Sequence, residues 1–187
     1  MRRKERERSE AFGWEVFDRA VYATLSVLAP DGSPYGVPVS PVRIGTTVYF
    51  HCAKKGLKLD AIARDPRVSL ACVGRTRLPE DEFTVEYESC ILTGRAALVE
   101  DEAERIAALR ALCEKYTPAN MANFEREIER SLPATALVRI RVEAVTAKEK
   151  PFSAPAHETG IGLTSAPNAR TMKEVPAPTV GERSLDD

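Results

Sequence analysis

Residues 49–58 read Tyr49-Phe50-His51-Cys52-Ala53-Lys54-Lys55-Gly56-Leu57-Lys58, an apolar strand that ends on a histidine and enters a turn bearing glycine and lysine. Lysines at the start of a helix sit beside backbone N–H groups that lack an intrahelical partner and beside the positive end of the helix dipole, so the turn suits a phosphate. His51 lies at the strand end close by. An imidazole, whose reference pKa is near neutrality, can there donate a proton or a hydrogen bond to whatever is anchored. The same residues also satisfy a plainer reading, a solvated helix start following a packed strand end.

Other chemistry is thinner. Cys52, Cys72, Cys90 and Cys113 are spread through apolar or strand-like stretches with no C-x-x-C pair, which reads as buried thiols of a reducing compartment. No metal site is expected, because the second histidine, His157, lies in a Pro/Ala-rich tail. A hydrolase reading has no G-x-S-x-G elbow, and His51 and Cys52, as neighbours on a strand, point to opposite faces and form no dyad.

The elements that must position the turn follow from the hydrophobic period. Ser9 is placed to cap a helix whose Phe12, Val16, Phe17 and Ala20 share a face. From Val21 the period becomes two, and Asp31-Gly32-Ser33-Pro34 turns the first strand into a second over 35–44. Pro38 and Pro41 interrupt that strand, so it is expected at an edge or with a bulge. A third strand over 46–52 leads to a helix over 57–64, with Leu59, Ile62 and Ala63 on one face, stopped by Asp65-Pro66. Strands over 68–73 and 84–99 follow, separated by an irregular loop over 74–83, the longer strand with a break at Gly94. Asp101 and Glu102 open a helix with Ile106, Leu109, Cys113 and Tyr116 in one stripe, and Thr117-Pro118 reads as the cap of another through Met121, Phe124 and Ile128. The closing strand covers 136–145. The expectation is a mainly β, α+β chain, a six-stranded antiparallel barrel with helices outside it, over 1–148, and an extended Pro/Ala-rich tail over 149–187.

With 187 residues the chain is long enough for one real core, and 27 basic against 28 acidic side chains give a net charge of −1. That balance provides no general pull toward nucleic acid or an anionic membrane, so anion binding needs a local site. No apolar run has the length of a membrane span and the N-terminus has no signal-peptide pattern, so a cytoplasmic location is expected.

Three segments carry a resemblance: Gly32-Ser33-Pro34-Tyr35-Gly36-Val37-Pro38-Val39, the run from Val48 through the lysine turn to Ile62, and Glu86-Tyr87-Glu88-Ser89-Cys90-Ile91-Leu92-Thr93-Gly94-Arg95-Ala96. In this order they resemble the pyridoxamine-phosphate-oxidase-like flavoprotein superfamily, and within it the nitroimidazole-resistance (Nim-type) branch, over about residues 1–150. The resemblance implies an FMN-binding split barrel, a homodimer with flavin sites at the subunit interface. It places Pro38, Val39 and Ser40 along the flavin ring, mainly through backbone groups, Ala53, Lys54 and Lys58 near the phosphate, Ser89 close to the cofactor, and His51 at the substrate pocket. Lys55 stands where the branch often has an acidic residue and Ser40 near where it has an asparagine, and the arginine-rich motifs of pyridoxamine-phosphate oxidases proper are absent, so that reaction is not expected. The implied function is an FMN-dependent oxidoreductase that reduces a small electron-poor molecule, nitroimidazole-, nitro-aromatic- or quinone-like. The alternative is a non-catalytic sensor or storage protein for flavin, deazaflavin or haem.

Overall fold

The computed structural model describes residues 2–80 and 82–152. Its strands are β1 (Glu7–Arg8), β2 (Ala23–Leu28), β3 (Pro34–Val39), β4 (Val42–Ile44), β5 (Thr47–Ala53), β6 (Arg67–Arg77), β7 (Glu86–Leu98) and β8 (Thr135–Lys150). The helices are α1 (Glu10–Arg19), α2 (Leu57–Arg64), α3 (Glu102–Tyr116) and α4 (Phe124–Ser131). Every pairing is antiparallel, in the order β3-β2-β6-β7-β8-β5-β4, with β1 added on β8.

The two ends of that order are consecutive in sequence. β3 and β4 are the expected 35–44 strand, cut at Ser40-Pro41, its first half paired with β2 and its second half with β5. One strand thus bridges the ends of the sheet, and the six-stranded split barrel becomes eight strands by count through this cut and the two-residue β1. Proline explains where the cut falls, since neither Pro38 nor Pro41 has an N–H to give to a ladder; Pro38 faces Thr24 on the one edge of β3 that is paired.

Two apolar clusters hold the elements. The barrel interior is filled by side chains such as Leu25, Phe50, Leu70, Leu92 and Ile140, with Val16 and Phe17 of α1 packed against them. Each of these contributes about 1.5–3 kcal/mol by leaving water. A second cluster joins Tyr49 and Leu137 to Leu109 and Leu112 of α3 and Phe124 and Ile128 of α4. Ser9 caps α1 as expected, its Oγ accepting from Phe12 N at 3.2 Å. Gly13 lets α1 lie close on β8, because a Cβ there would stand 2.7 Å from Val145 Cγ1.

Several expectations need correcting. β6 continues to Arg77, so only 78–85 form the loop; the period is hidden because Arg75 and Arg77 reach Glu88 and Glu86 across the ladder in place of apolar contacts. β7 is not broken at Gly94: a bulge in its pairing with β8 falls between Thr93 and Gly94. Thr117 does not cap a helix. Its Oγ1 donates back to Cys113 O at 3.1 Å, and Pro118–Asn123 is a 3-10 segment ahead of α4. In α2 the buried residues are Leu59, Ala61 and Ile62, while Ala63 is exposed. β8 runs on to Lys150, and the expected tail lies outside the described residues from 153 onward.

Candidate functional site

Alternation along β5 decides what His51 meets. Val48 and Phe50 point into the barrel, whereas Tyr49 joins the outer cluster under α3 and α4. His51 shares the face of Tyr49 and is exposed. The β4–β5 register, Val42 opposite Tyr49, brings Ser40 alongside His51 when carried on by two residues. Both line one cavity of about 390 Å³ whose apolar wall comes from Leu109, Leu112, Phe124 and Ile128, with Glu127, Ser131 and Thr135 at its polar side. The Ile106–Tyr116 stripe was legible in the sequence, and three of its members, Leu109, Cys113 and Tyr116, line the cavity; that they face His51 was not legible.

Two donors hold the corner that carries Ser40. Lys115 Nζ and Tyr116 Oη give hydrogen bonds of 3.0 and 2.7 Å to the carbonyl of Pro41. Desolvation lowers the pKa of the Lys115 ammonium and pushes the Tyr116 phenol up to about 12, so the phenol stays a protonated donor across the neutral range.

After His51 the chain leaves the sheet. Lys54 and Lys55 are exposed and Lys58 is half-buried in the first turn of α2. Gly56, at φ 143°, occupies the N-cap position, where it supplies no side-chain acceptor; the Leu59 N–H donates to its carbonyl at 2.9 Å, and the N–H groups of Leu57 and Lys58 are left to an outside partner. Cys52 points the other way and packs against the barrel interior, its thiol pushed up by burial and drawn back by the nearby Lys58 charge. The donor set at this turn, ammonium groups with free helix N–H groups, fits a phosphate.

The remaining expected residues divide. Pro38 is exposed and Val39 is buried in the barrel core, so Val39 can offer a ligand only its backbone. Ala53 is exposed at the end of β5, beside the lysine turn. Ser89 is not brought to this group. It lies opposite Val73 and Lys148, with β2 and β6 between its strand and β3, roughly 14 Å at about 4.8 Å per strand step. Among the described residues no helix is long and apolar enough to cross a membrane.

An antiparallel split barrel with an uncapped cationic turn next to a histidine-lined cavity defines a class of small-ligand-binding barrel. The sequence profile of the pyridoxamine 5'-phosphate oxidase family matches residues 9–149, and the chain belongs to that family. No curated protein matches it. Among solved structures it is similar to a candidate 5-nitroimidazole antibiotic resistance protein from Bacteroides thetaiotaomicron, at 19% identity over 75% of this chain and 84% of that one, TM-score 0.62. The flavocytochrome Anf3 from Azotobacter vinelandii gives 21% identity over 96% and 92%, TM-score 0.66. A FAD- and heme-binding protein from Mycobacterium smegmatis gives 21% over 86% and 88%, TM-score 0.63. At these identities the likeness extends to the fold.

Proposed function

We propose that this chain is a flavin-dependent oxidoreductase that binds FMN, its phosphate on the turn of Lys54 and Lys58 and its ring beside Pro38, Val39 and Ser40, and reduces a small electron-poor molecule held against His51. The observation that carries the reading is the shared cavity of Ser40 and His51, next to a helix start whose N–H groups have no side-chain cap. The similar flavocytochrome and FAD-binding structures support a flavin as the ligand class. When bound, the flavin supplies the electrons. The protein's part is to hold the acceptor between Leu109, Leu112, Phe124 and Ile128, to keep water from its faces, and to offer a proton or hydrogen bond from the His51 ring.

The reading includes a homodimer. β3 keeps one unpaired edge, and Val21, Tyr22 and Val73, exposed apolar residues that line one cavity, form a patch, Val73 being opposite Ser89. Two copies meeting there would let the Ser89 of each contribute to the other's site.

The visible spectrum of freshly purified protein, followed by reduction and mixing with a nitro-aromatic or quinone, tests this. Flavin bands that bleach and return with the acceptor are expected. A Soret band or a deazaflavin spectrum replaces the cofactor assignment, and bound flavin that no acceptor reoxidises turns the protein into a binding module.

A further inference from the structure

The outer face of the sheet carries a second constellation, far from His51 along the chain and unused by the reading above. Ser26 is directly opposite Ser69, and Ser69 opposite Thr93. Two residues further along the same strands, Arg67 is opposite Arg95 and Arg95 opposite Arg141. Residues opposed across an antiparallel pair, and residues two apart along a strand, share a face, so a row of hydroxyls lies beside a row of guanidinium groups. All three arginines are exposed, as are Ser26 and Thr93. Except for Arg141, these residues line one cavity of about 530 Å³.

The charges of this face are not balanced internally. Asp65 holds Arg67 through bonds of 3.0 and 3.1 Å to its Nε. Glu143, the residue skipped at the β7–β8 bulge, also lines the cavity, so Arg67 and Arg95 stand there against Asp65 and Glu143, and Arg141, opposite Arg95 but outside the cavity lining, adds a third positive charge to the face. Arg95 lies between two like charges at about 5 Å Cβ spacing, an arrangement that destabilises a sheet. Neither Arg95 nor Arg141 forms an ion pair among the described residues, and the hydroxyls of Ser26, Ser69 and Thr93 make no side-chain hydrogen bond there. An anion whose oxygens bridge Arg95 and Arg141 relieves the repulsion, and planar guanidinium forks suit phosphate oxygens.

We propose that this face binds a small phosphorylated molecule, with its phosphate on Arg95 and Arg141 and its hydroxyl-bearing remainder along Ser26, Ser69 and Thr93. The site is separate from the lysine turn, because α2, about 12 Å long at 1.5 Å per residue, runs between that turn and Arg67.

Calorimetric titration of the full chain at low ionic strength, with inorganic pyrophosphate, ribose 5-phosphate and ribose as probes, tests the site. Both phosphates bind saturably and ribose does not. Arg95→Gln and Arg141→Gln each weaken both phosphates about tenfold or more, and Ser69→Ala weakens ribose 5-phosphate more than pyrophosphate. The binding persists in the Lys54→Gln/Lys58→Gln double variant, which removes the turn as a competing cationic site. No saturable binding in the lysine double variant, or binding there that survives the further changes Arg95→Gln and Arg141→Gln together, overturns the proposal. All substitutions are on exposed or half-exposed side chains, and unchanged melting temperatures confirm that the variants fold.

Discussion

Replacing Lys58 by alanine separates the phosphate contact from everything else the turn does. Lys58 is in the first turn of α2 and half-buried, whereas Lys54, four residues earlier and ahead of the helix, is exposed. A charge-assisted bond to phosphate contributes about 1.5–3 kcal/mol, so its loss weakens FMN by roughly 10- to 150-fold. Lys54, screened by water, contributes about 0–1 kcal/mol, and Lys54→Ala costs less than about 6-fold. The Lys58→Ala variant keeps the uncapped N–H groups and the helix dipole, which favour an anion by about 0.3–1 kcal/mol, so a remnant of the preference for FMN over riboflavin survives. Riboflavin has no phosphate, and its affinity stays the same in wild type and variant. Titration of apoprotein by flavin fluorescence quenching measures both ligands. If FMN binds equally with and without Lys58, the turn is not the phosphate site; if riboflavin weakens in parallel, Lys58 supports the turn instead of the phosphate.

Three further outcomes follow from the same structure. His51→Ala keeps flavin occupancy but slows reoxidation by a nitro compound about 10²–10⁴-fold in single turnover; an unchanged rate at full occupancy removes His51 from the chemistry. Glu88 is fully buried and accepts from Arg75 Nε at 2.9 Å and Arg19 at 3.0 Å, so Glu88→Gln costs toward the lower end of about 3–5 kcal/mol, because both arginines are more than half exposed and can rehydrate. Desolvation raises the Glu88 pKa, but the bonds from Arg75 and the charges of Arg19 and Arg75 outweigh it and hold the carboxyl below its ordinary value of 4.5. Its stabilisation is therefore present above that value and lost as pH falls through the lowered folded one, and urea midpoints of wild type and Glu88→Gln should converge on acidification. Gly94→Ala places a Cβ 2.2 Å from Arg141 O, a backbone clash that costs at least the ~1–3 kcal/mol of an overpacked core; a melting temperature equal to wild type refutes that geometry.

What the sequence made legible was local. Two prolines announced the weak point of the 35–44 strand, and Asp65-Pro66 announced the end of α2 at Arg64, because both effects lie in the residue itself. The β6 extension was hidden for a physical reason: Arg75 and Arg77 pair with buried Glu88 and Glu86, so a stretch with polar inward contacts reads as a loop. Glu86, Glu88, Cys90 and Leu92 do alternate in one phase, and that was the available signal for the two buried carboxylates. The cavity walls were illegible for another reason. Leu109 and Phe124 meet His51 only because β5 pairs with β8, a contact between segments more than eighty residues apart that no local period encodes.

The corner at Ser40-Pro41 makes barrel closure and cavity shape one structural event. A proline that stops a strand leaves its carbonyl without a regular ladder partner, and Pro41 is buried, so that oxygen must be satisfied from elsewhere. The last turn of α3 satisfies it twice, through Lys115 and Tyr116, and the Tyr116 ring forms part of the cavity wall. The Lys115 ammonium also lies 5.7 Å from the Phe17 ring of α1 and 5.1 Å from that of Tyr116, contacts that offset part of its desolvation. A shift of α3 therefore moves the corner, and with it Ser40, while His51 stays fixed by seven register pairs between β5 and β8. The distance across the cavity mouth is set by a helix end on one side and a strand ladder on the other.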